Sequence, residues 1–200
     1  TIMRPALVGS RRPTQGARSN YKIPGTEHDR EALGRSRGGL TTKVHLAADR
    51  RCRPVAQVIT AGHRNDVIAF EAVMAGIRII RPGPGRPRIT PGHVLADKAY
   101  SSRAVRGYLR RRGIRATIPQ PGDQIANRAR RGQRGGRPPA FDSDRYKQRN
   151  TAERCINKLK QHRGVATRYD KREHIFHGTV AVASIRIWLH DLTKDPGNTT

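Results

Sequence analysis

The sequence is short of acidic, aromatic and sulfur-containing side chains. Its 200 residues include 15 Asp and Glu, one Trp, five Tyr, three Phe and two cysteines. Cys52 and Cys155 lack metal-ligand spacing, which excludes a disulfide scaffold and a structural zinc site. No apolar run approaches the roughly 20 residues of a membrane span, and no signal-peptide pattern opens the chain. We therefore expect a cytoplasmic protein with no membrane partner.

Positive charge is abundant instead. Lys and Arg total 41, so the net charge is +26 and the pI is about 11.7. We count 33 Arg and 8 Lys, and arginine suits bidentate phosphate contacts, although codon bias in a GC-rich genome would enrich it too. The charge points to nucleic acid as the partner. The few aromatic residues disfavour a platform on which bases stack.

Hydrophobic periodicity divides the chain into three parts. Residues 1–39 show no sustained period and are predicted to be irregular, 40–192 to be ordered, and 193–200 to be a tail. Within the ordered part, 120–140 is predicted to be an exposed basic loop. Strands are predicted at 41–47, 55–60, 93–96 and 114–118, and helices at 67–79, 102–112, 142–162 and 175–192. This order predicts an α/β fold with a mixed sheet flanked by helices. His45 alternates with Val44 and Leu46 and is expected on the outer face of its strand.

Two acidic residues stand out within the predicted elements. Asp97 follows a short apolar strand, at the sheet edge where sites of α/β proteins lie. Glu153 shares one helix face with Tyr146, Arg149 and Lys160, which fall within roughly 60° of one another at about 100° per residue. The alternatives are structural: Asp97 could cap the helix that follows, and Arg149 and Glu153 could form a surface pair four residues apart.

The spacing Tyr146-(2)-Arg149-(3)-Glu153-(6)-Lys160 resembles the Tyr-(2)-Arg-(3)-Glu-(6)-Lys signature of bacterial insertion-sequence transposases of the DDE type. The run 96–100, Ala-Asp-Lys-Ala-Tyr, resembles the segment that carries the second aspartate of that family. The resemblance covers roughly residues 30–192. It implies a ribonuclease-H-like fold for 40–192, and metal-dependent DNA cleavage and strand transfer.

In that family, two aspartates and a glutamate hold two divalent ions, and Mg²⁺ prefers such oxygen ligands. The resemblance implies that Asp97 and Glu153 are catalytic metal ligands and that Tyr146, Arg149 and Lys160 contact DNA. It also implies that the protein associates with nucleoid DNA. A homodimer on DNA is left open.

The first aspartate of the family is missing from its expected place. The opening run 1–4, Thr-Ile-Met-Arg, is similar to the end of the segment that carries it, and residues 5–26 look foreign to the family. We therefore expect the C-terminal part of a transposase, truncated at its N-terminus, without its first strand and inactive alone. Enzymatic activity stays an open question, and the alternative is a non-catalytic basic nucleic-acid-binding protein.

Overall fold

The structure is a computed structural model that describes residues 2–10, 31–36, 39–81 and 83–194. The strands, in chain order, are β1 (Ile2–Ser10), β2 (Gly34–Ser36), β3 (Gly39–Ala48), β4 (Pro54–Ala61), β5 (His93–Ala96), β6 (Arg115–Thr117) and β7 (Thr167–Arg168). The α-helices are α1 (Asp66–Ala75), α2 (Arg103–Arg111), α3 (Gly122–Arg130), α4 (Ser143–Lys147), α5 (Asn150–Lys160), α6 (Arg163–Ala166) and α7 (Glu173–Lys194). Short 3₁₀ turns lie at Lys98–Tyr100 and Gly132–Gly135.

All seven strands belong to one mixed sheet, whose central part runs β4-β3-β1-β5-β6. Strands β3 and β4 form the predicted antiparallel hairpin, and β5 and β6 run parallel to each other. The short β2 extends the sheet beside the start of β3, and β7 pairs with the end of β1. The prediction of a mixed sheet flanked by helices, as in a ribonuclease-H-like fold, is confirmed.

The expected loss of the first strand is wrong. Strand β1 lies at the centre of the sheet, antiparallel to β3 over eight residue pairs and parallel to β5 at its start. Neither 2–10 nor 34–36 is irregular, while 11–30 and 37–38 lie outside the described residues. Met3 and Val8 are buried in opposite layers of the core, so packing on both faces holds β1 in place.

Helices cover both faces of the sheet. On one face α1 and α2 pack around Phe70 and Leu109, and on the other α5 and α7 pack around Leu159 and Phe176. The four apolar residues that share one stripe of α5 are all buried, as their spacing predicts: Ala152, Cys155, Ile156 and Leu159. The sheet edge that carries Asp97 therefore lies beside α5.

Several predicted boundaries change in the structure. The helix predicted at 67–79 spans Asp66–Ala75 and so ends four residues earlier. Helix α3 and the 3₁₀ turn after it occupy part of the predicted loop 120–140, with Asp123 in the first turn and Arg130 in the last, as the helix dipole favours. The predicted helix 142–162 is two helices, α4 and α5, separated at 148–149. Helix α7 includes the first two residues of the predicted tail 193–200, and 195–200 lie outside the described residues.

Among the residues that the structure describes, no helix combines the length and apolarity that crossing a bilayer requires.

Candidate active site and basic surface

Asp97 lies at the carboxyl end of β5, where the chain leaves the sheet. It is the N-cap of the 3₁₀ turn, because its Oδ1 accepts a hydrogen bond of 2.6 Å from the Lys98 amide. Its side chain is 32% exposed, and Oδ2 points to Arg149, 3.4 Å from that guanidinium. The capping role is therefore real, and it leaves one carboxylate oxygen directed toward α5.

Arg149 joins the two candidate carboxylates. Its Nη2 donates to Glu153 Oε1 at 2.6 Å, one helical turn along the chain, and its Nη1 lies 3.4 Å from Asp97 Oδ2. The three side chains are 21–33% exposed, so solvent reaches the group. The Arg149–Glu153 ion pair that the sequence offered as a structural alternative is thus present. Arg149 also contacts Asp97, which lies 52 positions earlier in the chain. One cation is placed between two anions that belong to different elements.

Tyr146 belongs to the same cluster, whereas Lys160 lies apart from it. The Arg149 guanidinium lies 5.4 Å from the centre of the Tyr146 ring, which packs against Phe141 at 5.3 Å between ring centres. Lys160 is exposed at the end of α5, seven residues and about 10 Å of helix beyond Glu153. Of the five predicted site residues, the structure gathers four and places the fifth further along the same helix.

A third carboxylate is missing from the described part of this site. Strands β1 and β5 are parallel, and Met3 pairs with Ala96. One residue further along each chain segment, the backbone position of Arg4 therefore lies beside that of Asp97, where a third carboxylate would be needed. Strand β1 contains no Asp or Glu. Within the described ranges no group of three or more His, Cys, Asp or Glu side chains could hold a metal ion. Glu27 and Asp29 lie outside those ranges. Two carboxylates already bridged by a guanidinium do not fit a pair of Mg²⁺ ions, which need several oxygen ligands each.

A dense arginine surface follows on α3 and the adjoining turn. Five arginines fall between 128 and 137, and none has a side chain buried in the core: Arg128, Arg130, Arg131, Arg134 and Arg137. Arg130, Arg131 and Arg134, with Gln133, line an open cavity of about 700 Å³. Gly135 lies so close to the Arg128 backbone that a Cβ at that position would collide with its carbonyl group. A glycine there lets the turn fold back on α3 and gather the arginines, which the sequence predicted only as a basic loop.

His45 occupies the core rather than the outer face of its strand, which corrects the sequence expectation. Its Nε2 lies 2.8 Å from the Thr60 hydroxyl and its Nδ1 lies 3.4 Å from the Tyr100 hydroxyl. Burial lowers the pKa of His45 to about 4, against a rise caused by nearby Asp66. Burial also raises the pKa of Tyr100. The imidazole is therefore neutral at pH 7 and holds β3, β4 and the turn after Asp97 together.

Two further polar groups near the sheet were not singled out by their sequence pattern. His93 begins β5 and contacts Arg145 at 3.0 Å and Thr117 at 3.0 Å, and burial together with the Arg145 charge lowers the pKa of His93. Arg168 is fully buried and donates to the Glu31, Asp170 and Lys171 carbonyl oxygens. No local motif marks either residue. Thr117 and Arg145, which contact His93, and Glu31, which accepts from Arg168, come from distant parts of the chain.

Comparison with known proteins agrees with the resemblance seen in the residues. The family described as "Transposase DDE domain" matches residues 13–188. The chain is 30% identical over 150 residues to a Brucella ovis protein assigned as a transposase for insertion sequence element IS6501, which covers 75% of this chain and 99% of that protein. It is 35% identical over 77 residues to a Burkholderia cepacia protein assigned as a transposase for insertion sequence element IS402, which covers 38% of this chain and 36% of that protein.

Proposed function

The chain belongs to the transposase DDE domain family, and from this premise we propose that it binds DNA through its arginine-rich surfaces but does not cleave DNA by itself. The cluster of Asp97, Arg149 and Glu153 is the single observation that carries the proposal. We place this binding on nucleoid DNA in the cytoplasm.

The inactivity follows from the charges at the cluster. A guanidinium stays protonated at every physiological pH, so Arg149 neutralises part of the charge that would attract a cation. A divalent ion at Asp97 and Glu153 has to displace that guanidinium. Among the described residues, no third carboxylate then joins these two in a group that could hold the ion. We therefore propose that Asp97 and Glu153 occupy the positions of catalytic ligands without forming a working two-ion site.

DNA binding follows from the same helix and from the arginine surface. A phosphate oxygen can accept from Arg149, which the Tyr146 ring holds in place, and Lys160 continues the positive face about 10 Å further along α5. That length corresponds to about three base pairs at 3.4 Å each. The arginines of α3 and its turn add a second positive surface. Both surfaces contact phosphates, so they explain affinity and carry no sequence preference of their own.

The test compares DNA binding and DNA cleavage in three proteins. Wild type, Glu153→Gln and the control Glu71→Gln, an exposed glutamate on α1, are titrated with a labelled duplex and then incubated with it and MgCl₂. We expect no cleavage by any of them. We expect Glu153→Gln to bind DNA at least as tightly as wild type, because one negative charge beside Arg149 is removed.

Mg²⁺-dependent cleavage by wild type that Glu153→Gln abolishes would refute the proposed inactivity and establish a working catalytic glutamate. Failure of wild type to bind DNA would refute the proposal as a whole. An Arg149→Gln protein should bind more weakly than wild type, and equal binding would exclude Arg149 from the DNA contact.

The second candidate is a non-catalytic basic protein that binds any nucleic acid. The arginine surface favours it, because those side chains lie on α3 and the turn after it, elements that contain neither Asp97 nor Glu153. This candidate predicts equal affinity for duplex DNA and duplex RNA of the same length. Preference for DNA, combined with a loss of binding in Arg149→Gln, would favour the transposase-type function.

A further inference from the structure

An open cavity of about 450 Å³ lies between the end of α5 and the last turns of α7. Six polar residues line it, three from the end of α5 and three from α7: Lys158, Gln161, His162, Arg186, His190 and Asp191. Its volume falls in the range of roughly 300–1,000 Å³ that small-ligand sites occupy. We call this cavity the α5–α7 groove.

Two cations of the groove have no anionic partner in the described part of the chain. Neither Lys158 nor Arg186 forms an ion pair or a side-chain hydrogen bond with another described residue. Arg53 and Arg149, by contrast, each contact two carboxylates. Two cations that line one cavity without a carboxylate between them leave its positive potential available to a bound anion.

Asp191 is the acidic lining residue, and arginines outside the lining hold its carboxylate. Its Oδ2 accepts a hydrogen bond from Arg53 Nη1 at 3.2 Å and lies 3.6 Å from Arg51 Nε. These two guanidinium groups offset the charge of Asp191. The positive charges of Lys158 and Arg186 are therefore left in excess within the groove.

The carbonyl groups at the end of α5 are mostly occupied. Free carbonyl groups at the C-terminus of a helix disfavour an anion. Here the Gln161 amide donates to the Asn157 and Lys158 carbonyl oxygens, and the His162 amide donates to that of Leu159, at 3.1–3.2 Å. Amide groups of the chain thus satisfy three of the last four carbonyl groups of α5, which weakens their repulsion of an anion in the groove.

The lining side chains mostly donate hydrogen bonds. A lysine ammonium has three N–H groups, an arginine guanidinium has five, and a glutamine amide and an imidazole add further donors. Arg186 and His190 lie four residues apart on one face of α7, and Lys158 approaches from α5. A phosphate group offers only acceptor oxygens and one or two negative charges, so it matches two cations better than a carboxylate does.

The groove lies on a different side of α5 from the carboxylate cluster. Lys158 follows Glu153 by five residues, which turns it about 140° around the helix axis at 100° per residue. A phosphate bound at Arg149 is therefore on another face of α5 from one bound at Lys158. The groove is a separate site rather than an extension of the surface around Arg149.

We propose that the α5–α7 groove binds a phosphate group, which Lys158 and Arg186 hold as charged donors and Gln161 and His190 contact as further donors. A small phosphate compound and a phosphate of a nucleic-acid backbone share this chemistry, and the experiments below distinguish the two sources. The proposal does not rest on the carboxylate cluster or on the DNA contact proposed for Arg149.

Nuclear magnetic resonance of histidine side chains tests small phosphate compounds. The nuclease-treated chain, labelled with ¹³C-histidine, is titrated with inorganic phosphate or adenosine monophosphate at fixed pH and at an ionic strength kept constant with NaCl. The signals of His162 and His190, assigned with H162Q and H190Q, should shift and saturate. The signals of the exposed His174 and His177, which lie outside the groove, should stay in place.

A matched pair of variants tests the two cations. K158Q/R186Q removes both charges of the groove and should raise the Kd for the small phosphate roughly tenfold or more per charge. K171Q/R110Q removes the same charge from exposed side chains outside the groove and should bind like wild type. Circular dichroism should show both variants folded, and the wild-type titration stands without them.

Fluorescence anisotropy of a labelled DNA duplex tests a backbone phosphate as the source. Each lost phosphate contact makes the slope of log Kobs against log salt shallower by about 0.9, so K158Q/R186Q should differ from K171Q/R110Q by up to about 1.8. A shallower slope in K158Q/R186Q alone assigns the groove to the nucleic-acid backbone. Equal slopes together with saturable histidine shifts assign it to a small phosphate compound.

Two results would overturn the proposal. One is that small phosphates leave the His162 and His190 signals in place while both double variants bind the duplex alike. The other is that K158Q/R186Q retains the affinity of wild type for every probe. The histidine titration contains no DNA, so its outcome is independent of whether Arg149 contacts DNA.

Discussion

Removal of three arginines from the α3 surface should change how DNA binding responds to salt. The variant R130A/R131A/R134A deletes the three arginines that line the cavity beside Gln133. Each of these side chains is exposed and lies outside the core, so the fold and the unfolding temperature should stay as in wild type. The change thus isolates the electrostatic contact with phosphate.

The magnitude follows from the number of phosphates neutralised. Each contact contributes about −0.9 to the slope of log Kobs against log salt, so loss of three contacts should make the slope shallower by about 2.7. Between about 50 and 200 mM salt, a slope difference of that size is roughly a 40-fold difference in the loss of affinity. Fluorescence anisotropy of a labelled duplex over that range measures both quantities.

The matched control is R78A/R81A/R86A, which removes the same charge from three exposed arginines between α1 and β5. This control should keep a slope close to that of wild type, because a uniform loss of net charge is not the loss of specific phosphate contacts. If the control and the α3 variant shift the slope equally, general charge rather than the α3 surface explains binding. If the α3 variant keeps the slope of wild type, these arginines do not contact DNA.

Three other changes test separate parts of the structure. The pKa of His45 is about 6.5 in the unfolded chain and about 4 in the folded one, so wild type should lose about 3 kcal/mol of stability as pH falls between these values. In urea unfolding, His45→Gln should lack most of this loss, while the exposed control His177→Gln should keep it. Hydrogen bonds from Arg172 and the Glu173 amide outweigh burial and lower the pKa of Glu31 in the folded chain. The contribution of Glu31 to stability is therefore present above its unfolded pKa and disappears as pH falls through its folded pKa. Glu31→Gln should lower the unfolding temperature at pH 7 and should match wild type in acid. Gly135→Ala should push the turn away from Arg128 and weaken DNA binding without changing the unfolding temperature, and unchanged binding would show that the turn is dispensable.

Elements that form for local reasons could be predicted from the sequence. Alternation predicted the hairpin of β3 and β4, and a short apolar run predicted β5. A serine cap, with Gly113 after the last turn, predicted α2. The buried stripe of α5 follows from helical spacing alone. Tyr146, Arg149 and Glu153 also share one face in the structure, as their spacing predicts. The backbone stays in the α-helical region through Arg149, although α4 and α5 are separated at 148–149.

Long-range pairing decided the rest. Strand β1 has no clear alternation. It becomes a strand because β3 and β5 pair with its two edges and because apolar side chains, including those of the helices, cover both of its faces. The alternation along β3 predicts His45 on the outer face, yet the helix and turn that pack over β3 bury it beside Tyr100 and Thr60. The meeting of Asp97 with Arg149 joins a sheet edge to a helix 52 residues later. The periodicity of a sequence predicts which residues share one face of a helix or strand. Which other residues that face contacts is determined only by the packing of the sheet and helices.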